Sequence, residues 1–228
     1  MSSQINHVSL DSQTTGSEIR DAVLVGDSHS YPAGVELFRQ GERADNVYLI
    51  NRGVIKLTRS ERNGHEILLD LRFSGSLIAS AAVISEKPHP FAAVTVTGCG
   101  LTRWNSRQFL SLIATDSSLS ARVSVMLSDE VHDHIARISQ LTCLPARQRL
   151  EQFLWQLCER LGPDHLRLEG TAKLQLPLKH YEIAELLSIT PTYLCRLLNE
   201  LEMESIIIRT RGWIIVTKAS ELWHMLNQ

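Results

Sequence analysis

The strongest hydrophobic pattern in the chain is a helical stripe that runs from Leu119 to Leu141. Apolar residues recur along it at steps of four and three residues, the spacing of one helix face. At 1.5 Å per residue this helix would be roughly 34 Å long, more than a small domain needs for cover. Pairing with the same helix of a second copy is therefore favoured over cover within one chain. The predicted dimer contacts are Leu119, Val123, Met126, Leu127, Val131, Ile135, Ile138 and Leu141.

Before this helix, short apolar runs rich in β-branched residues alternate with glycine turns. Turn signals such as Arg62-Asn63-Gly64-His65 bound the runs. Short strands at such regular spacing are typical of an antiparallel sandwich or barrel. Ahead of them, residues 1–27 are mostly polar and predict a flexible arm with a short helix around Ser17–Leu24. The predicted strands are Val47–Ile50, Val54–Thr58, Ile67–Leu71 and Ala93–Thr97.

After the stripe, Pro145 interrupts the helical pattern, and Leu144-Pro145-Ala146 is the predicted hinge. A second helix is predicted from Arg147 to Leu161, ending at Gly162-Pro163. Two short alternating segments then predict strands, at Leu166–Leu168 and at Leu174–Pro177.

The segment from Leu178 to Leu201 predicts a helix-turn-helix, because two apolar helical faces flank a break at Ser188-Ile189-Thr190. Thr190 is expected to cap the second helix, with Pro191 in its first turn, where the missing N–H costs nothing. A hairpin with basic residues at its tip follows the second helix, and such a wing lies beside a phosphate backbone. The expected DNA-binding residues are Lys179, Thr190, Pro191, Thr192, Tyr193, Cys195, Arg196, Asn199, Arg209 and Arg211.

Within this set, Arg196 is the candidate for bidentate contact with guanine N7 and O6, and Asn199 lies one turn deeper or near a phosphate. The charge of the second half gives no overall attraction to DNA, because residues 145–228 hold ten Lys or Arg and ten Asp or Glu. Binding is therefore expected to depend on local clustering of cations, with Glu202 and Glu204 turned away. Nonspecific affinity should be modest and salt-sensitive.

Composition fits an intracellular globular protein, with 43% apolar and 21% charged residues and a net charge of −2. No apolar run is long enough for a membrane-spanning helix, and the first residues lack a secretory signal. The four cysteines are far apart and show no metal-ligand spacing, so free thiols in a reducing cytoplasm are expected. A cytoplasmic location without membrane contact is the resulting prediction.

Enzyme motifs are missing from the sequence: it has no G-x-S-x-G elbow, P-loop, H-E-x-x-H or G-x-G-x-x-G. We therefore predict no catalytic residues, no metal ligands and no enzymatic activity. A binding or scaffold protein with a vestigial helix-turn-helix stays open as an alternative from another class.

The order of strands, long helix, hinge and winged helix-turn-helix resembles the Crp/Fnr family of bacterial transcription regulators. In the first half the resemblance rests on Gly34, Phe38-Arg39-Gln40-Gly41-Glu42, Tyr48-Leu49-Ile50, Gly53, Ile55 and Leu57. In the second half it rests on Arg149, Ile183-Ala184, Ile189-Thr190, Arg196-Leu197-Leu198 and Leu201. Two matching halves in the right order make the resemblance specific, and it covers roughly residues 30–218.

The resemblance implies an α+β fold with an antiparallel β-roll, a jelly roll like those that bind cyclic nucleotides. It implies four parts: an arm at 1–27, the β-roll at 28–114, a dimerisation helix at 115–144 and a winged helix-turn-helix at 145–228. The implied function is sequence-specific regulation of transcription by a homodimer on near-palindromic double-stranded DNA, with RNA polymerase as a further partner. At Thr192 several relatives carry Glu, so a different half-site is expected here.

The implied effector pocket departs from the family pattern. Cyclic-nucleotide binders of the family carry a Gly-Glu pair for the ribose and an Arg-Ser/Thr pair for the phosphate, and neither is present here. A buried phosphate would be left uncompensated, so control by cyclic AMP is not expected. The residues of this degenerate pocket are Ser80, Ala81, His89, Phe91 and Ala92.

The sequence argues against only some of the other ways in which such a domain could sense a signal. An iron–sulfur cluster is not expected, because no cysteine precedes Cys99. No cofactor is predicted, but haem stays an open alternative, since nine histidines and Cys99 offer axial ligands. Redox sensing by Cys99 or Cys143, an apolar or aromatic effector and no effector at all also stay open.

Overall fold

The computed structural model describes residues 26–62, 64–160, 172–174, 178–210 and 213–217. The predicted arm helix at Ser17–Leu24 and the predicted strand at Leu166–Leu168 lie outside these ranges. Within the described residues, no helix combines the length and the apolar character needed to cross a bilayer.

The first half of the chain is an antiparallel β-roll, as predicted. Two four-stranded sheets, in the orders β1-β8-β3-β6 and β2-β7-β4-β5, enclose a core that includes Ile50, Ile55 and Leu101. Gly53 makes the turn after the third strand at φ +99°, and a Cβ there would lie 2.7 Å from the carbonyl oxygen of Gly98, so a side chain would not fit. The strands are β1 (Asp27–Tyr31), β2 (Glu36–Phe38), β3 (Asn46–Arg52), β4 (Ile55–Ser60), β5 (Glu66–Arg72), β6 (Leu77–Ile78), β7 (Ala92–Thr95) and β8 (Cys99–Asn105), with the short helix α1 (Ser80–Ile84) between β6 and β7.

Two helices follow the β-roll, α2 (Ser106–Thr115) and the long α3 (Ser117–Cys143). Asn105 caps α2 in a reciprocal capping box with Gln108, and the side chain of Asp116 caps α3. With 27 residues, α3 is about 40 Å long. The single long helix that the apolar stripe predicted is therefore confirmed.

The predicted hinge is the break between α3 and α4 (Ala146–Arg160). Leu144 has extended backbone there, at φ −96° and ψ 140°. The Arg149 guanidinium donates to the carbonyl oxygens of Leu141 and Leu144, at 3.3 Å and 3.0 Å. The end of α3 and the start of α4 are therefore held by one side chain.

The second half of the chain is a winged helix-turn-helix. A three-stranded sheet in the order β10-β11-β9 packs with three helices, and its neighbouring strands pair antiparallel. Its elements after α4 are β9 (Ala172–Leu174), α5 (His180–Leu186), α6 (Pro191–Met203), β10 (Ile207–Thr210) and β11 (Trp213–Val216).

The two halves share one apolar core. Val54, Leu68, Leu71, Phe73 and Val96 of the β-roll belong to the same cluster of buried side chains as the leucines of α4, α5 and α6. Polar contacts flank this cluster: Lys56 Nζ lies 2.6 Å from Glu182 Oε1, and the backbone N–H of Leu68 donates to Glu185 Oε2 at 3.0 Å. The helix-turn-helix is thus docked on the strand pair β4-β5 of its own chain.

Candidate nucleic-acid interface and effector pocket

The turn between α5 and α6 forms as local sequence chemistry predicts. Ser188 adopts φ +52° at the end of α5, and the side-chain oxygen of Thr190 accepts a hydrogen bond from the Tyr193 N–H at 3.2 Å. Pro191 occupies the first turn of α6. The predicted N-cap is therefore confirmed, and it fixes the direction in which α6 leaves the turn.

Helix α6 has one buried and one exposed face. Its four leucines are buried, and Ala184 on α5, which is 1% exposed, belongs to the same cluster of buried side chains. The exposed face carries Thr192, Tyr193, Arg196 and Asn199, with Cys195 half-buried beside them. The residues predicted for base contact on this helix therefore lie together on an accessible surface.

Arg196 is held but not buried on this face. Its guanidinium lies 5.0 Å from the centre of the Tyr193 ring, and its Nε is 3.2 Å from Glu200 Oε1. The side chain is 68% exposed. Exposed ion pairs of this kind contribute little and exchange readily. A guanine edge can therefore replace Glu200 as the partner of the Arg196 donors.

At the wing, Arg209 is not a free cation, because it pairs with neighbouring side chains. The Arg209 guanidinium donates to Glu202 and to Asn199 Oδ1, so these three side chains form one network. Hydrogen bonds from the Arg209 backbone N–H and side chain lower the pKa of Glu202. Glu202 is therefore not turned away from the wing, which corrects that expectation, because it pairs with the wing cation across the α6–β10 junction. Arg211 lies outside the described residues.

Glu204 is also paired, because its carboxylate accepts a hydrogen bond from the guanidinium of Arg147. Lys179 lies at the start of α5, where its backbone N–H donates to Glu182 Oε2 at 2.8 Å and its Nζ lies 5.6 Å from the centre of the Tyr181 ring. Lys179 is exposed.

The predicted effector pocket contains a buried aromatic stack. His89 is 4% exposed, and its ring stacks on Phe38 with a centroid separation of 3.8 Å. The ring of Phe91 also contacts that of Phe38, with a centroid separation of 6.2 Å. Burial lowers the pKa of His89, so the ring is neutral at pH 7. The rings of Phe38, His89 and Phe91 therefore lie together in this part of the β-roll.

The remaining pocket residues are divided. Ser80 is buried at the start of α1, Ala92 is half-buried on β7, and Ala81 is exposed. Ala79, just before α1, adopts φ +70°, a left-handed conformation that alanine rarely takes. Lys87 is the one lysine or arginine between Leu77 and Thr95, and it is exposed. None of the described residues of this segment therefore supplies a buried cation.

Two of the four cysteines are buried. Cys99 and Cys158 are buried, and burial raises the pKa of both, that of Cys158 to about 11. Such thiols are poorly ionised and therefore slow to react. Among the described residues, no group of three or more His, Cys, Asp or Glu side chains is placed to hold a metal ion.

The apolar stripe of α3 faces two directions. Val123 is buried against the chain's own β-roll with Leu119 and Leu127, Met126 lies at the edge of that contact, and Leu141 faces α4. Val131, Ile135 and Ile138 are exposed by 56%, 59% and 64%. Of the eight predicted dimer contacts, five are therefore at least partly occupied within the chain. Val125, 51% exposed on the adjoining face, was not predicted, because it is out of step with the chosen stripe.

Comparisons with known proteins follow this division of the chain. The model of the cyclic nucleotide-binding domain matches residues 28–116, and that of the Crp-like helix-turn-helix domain matches residues 148–225. The cAMP-activated global transcriptional regulator CRP of Escherichia coli O157:H7 is 23% identical over 189 residues, covering 82% of this chain and 88% of CRP. The nitrogen fixation regulation protein FixK of Rhizobium meliloti is 24% identical over 206 residues, covering 87% and 86%.

Among solved structures, FixK2 from Bradyrhizobium japonicum aligns with a TM-score of 0.75 at 18% identity, covering 88% of this chain and 96% of FixK2. The fold and the recognition helix therefore define a transcription regulator with a Crp-like helix-turn-helix DNA-binding domain. The chain belongs to the Crp/Fnr family. Its relatives are bacterial regulators of transcription rather than enzymes, which is the class that the sequence predicted.

Proposed function

We propose that the chain acts as a homodimer that binds a near-palindromic DNA site through α6 and does so without cyclic AMP. The observation that carries this proposal is the exposed face of α6, where Thr192, Tyr193 and Arg196 project beyond the capped turn. A recognition helix reads the major groove with its N-terminal residues, which are the residues exposed here. Arg196 would bind guanine, and Lys179 would bind phosphate.

The exposed half of α3 supports a dimer. Val131, Ile135 and Ile138 follow one another at steps of four and three residues, so they form one continuous apolar strip of the kind that pairs two helices. In such a dimer we expect the two α6 helices to lie about 34 Å apart, one turn of DNA. The dimerisation part of the proposal is thus residues 115–144, between the β-roll at 28–114 and the DNA-binding domain at 145–228.

The buried aromatic stack in the predicted pocket supports independence from cyclic AMP. A nucleotide would have to displace the stacked Phe38 and His89 rings, and its phosphate would then meet a neutral imidazole rather than a guanidinium. An uncompensated buried phosphate costs several kcal/mol. CRP is described as cAMP-activated, so this chain would differ from that relative in its control.

Binding of RNA polymerase is part of the proposal, as expected of a chain that is similar to global regulators of transcription. The hinge at Leu144 and its Arg149 bridge would transmit the state of the β-roll and α3 to the DNA-binding domain. An effector could act only by binding one arrangement of these parts better than another.

Selection from random-sequence DNA with the purified protein, without effector and at moderate salt, tests the proposal. We expect an inverted repeat with half-site centres about 10 base pairs apart, recovered equally well with and without cyclic AMP. Arg196→Ala should abolish enrichment, whereas Arg59→Ala on β4 is the matched control and should not. A direct repeat, enrichment that survives Arg196→Ala, or enrichment only with cyclic AMP would contradict it.

Sedimentation equilibrium tests the dimer separately. The protein should sediment as a dimer, and Ile135→Asp should sediment as a monomer because a carboxylate would be buried in the apolar strip. Ser118→Asp, at the exposed start of α3, should remain dimeric. A monomeric parent protein, or an Ile135→Asp variant that stays dimeric, would show that this strip is not the interface.

A further inference from the structure

A cleft of about 150 Å³ lies between the two halves of the chain, apart from both the α6 surface and the β-roll pocket. Strand β5, the second half of α3, helix α4 and the end of α5 form its walls. Its floor is apolar and includes Phe73, Leu157 and Leu187. A cavity of about this volume is large enough for a molecule of the size of benzene.

Four arginine side chains line this cleft, Arg72, Arg137, Arg149 and Arg160, against two carboxylates, Asp70 and Asp133. Asp70 lies 3.2 Å from Arg72 Nε and 3.4 Å from Arg137 Nη1, and Asp133 lies 3.3 Å from Arg160 Nη2. Glu130 on α3 also pairs with Arg72. Even with Glu130 counted, the cations exceed the carboxylates.

Arg149 is the clearest source of this excess. Its Nη1 bonds only to carbonyl oxygens, those of Leu141 and Leu144. Its Nε is shielded from solvent and has no hydrogen-bond partner among the described residues. A partly buried guanidinium without a carboxylate partner is costly, and an anion would compensate it.

Arg137 is a second source of the excess positive charge in the cleft. It bonds to the carbonyl oxygens of Leu69 and Leu186 and shares Asp70 with Arg72. Burial and repulsion from Arg72 lower the pKa of Arg137, although Asp70 opposes this effect. The guanidiniums therefore crowd one another next to an apolar floor.

We infer that this cleft is a binding site for a compact organic anion, a carboxylate or phosphate on an aromatic body of about the size of benzoate. The anionic group would lie among Arg137, Arg149 and Arg160, because planar guanidiniums match the geometry of its oxygens. The ring would lie on Leu157 and beside Phe73, whose ring centre is 5.8 Å from the Arg160 guanidinium. Such a ligand would touch β5, α3 and α4 at once and would stabilise their docking.

Isothermal titration of the full chain with benzoate and with phenyl phosphate tests this site, with benzyl alcohol as the neutral counterpart. We expect saturable binding of one anion per chain and about tenfold or more weaker binding of benzyl alcohol. Either anion alone suffices, and the stronger one identifies a carboxylate or a phosphate as the preferred group. No saturable binding of either anion, or equal binding of benzyl alcohol, would overturn the inference.

Two variants locate the binding. Gln156→Trp, an exposed residue of α4 at the cleft, should fill it and abolish binding while the protein stays folded. Arg160→Gln should weaken anion binding by about tenfold, because one charge-assisted contact is lost. Arg59→Gln, an exposed arginine on β4, should bind as the parent does. Unchanged binding in Gln156→Trp would place the anion elsewhere and overturn the inference. The test needs no DNA, so its result is independent of the proposed function.

Discussion

The outward face of α6 and the interior of the β-roll pocket differ in what occupies the space that a ligand would need. On α6, Arg196 is exposed and its present partners, Tyr193 and Glu200, are weak and replaceable. In the pocket, His89 and Phe38 are buried against each other, and their contacts belong to the core. Side chains on the α6 surface can therefore be replaced at little cost to the stability of the fold. Replacing the aromatic side chains of the pocket would lower that stability, because they belong to the core.

The largest effect that separates the two regions is expected from Phe38→Ala. Removing this buried ring leaves a cavity beside His89 and Tyr48 and should lower the free energy of unfolding by about 3–4 kcal/mol. Tyr193→Ala, which removes an exposed ring on α6, should change it by less than about 0.5 kcal/mol. Urea denaturation measures both. If the two variants lose similar stability, the pocket is not packed as described.

Arg196→Ala should show the opposite behaviour. Operator affinity should fall by about 1–3 kcal/mol, because a bidentate contact to guanine is lost, while stability stays nearly unchanged. Arg196→Lys should restore the salt dependence of binding but not its sequence preference, since an ammonium lacks the planar fork. Fluorescence anisotropy on the selected site and on scrambled DNA measures this. An equal loss on both DNAs would make Arg196 a phosphate contact.

Ala79 tests whether the pocket segment carries backbone strain. Its φ of +70° is unfavourable for alanine, so Ala79→Gly should stabilise the protein by about 1 kcal/mol. Ala81→Gly, two residues away in α1, is the control and should destabilise it by about 0.5–1 kcal/mol. Thermal or urea unfolding measures both. A loss of stability in Ala79→Gly would mean that the left-handed conformation is not strained.

The smallest effect is a pH dependence from His89. Because burial lowers the pKa of His89 in the folded state, the unfolded chain binds the extra proton first as pH falls. The contribution of His89 is complete above its unfolded pKa of about 6.5 and is lost as pH decreases below that value. His89→Phe should therefore lose less stability than the parent between about pH 7.5 and pH 5.5. Parallel slopes in urea titrations would contradict a buried neutral His89.

Local chemistry made the helix-turn-helix readable from the sequence. Thr190 and Pro191 identify the start of α6 whatever the rest of the chain does, because a cap satisfies N–H groups within its own turn. The alternation of β-branched runs and glycines was equally local, and it predicted four of the eight strands described in the β-roll, β3, β4, β5 and β7.

Contacts between distant segments were not readable in this way. Glu202 pairs with Arg209, and Arg72, Arg137 and Arg160 meet in one cleft, although nothing in their spacing relates them. The period of α3 identified its apolar positions but could not say that Val123 would pack on the β-roll while Ile135 stayed exposed. Periodicity defines a face, and only the tertiary fold decides what covers it.

The apolar core that joins β5 to α5 has a thermodynamic consequence for any switching motion. Leu68 and Leu71 lie in one cluster with Ile183 and Leu187, so swinging the DNA-binding domain off the β-roll would bring this surface into contact with water. Exposure of apolar surface raises the heat capacity. A rearrangement of the domains would therefore appear in calorimetry as a heat-capacity increase, whereas a ligand that only tightened the present docking would leave none.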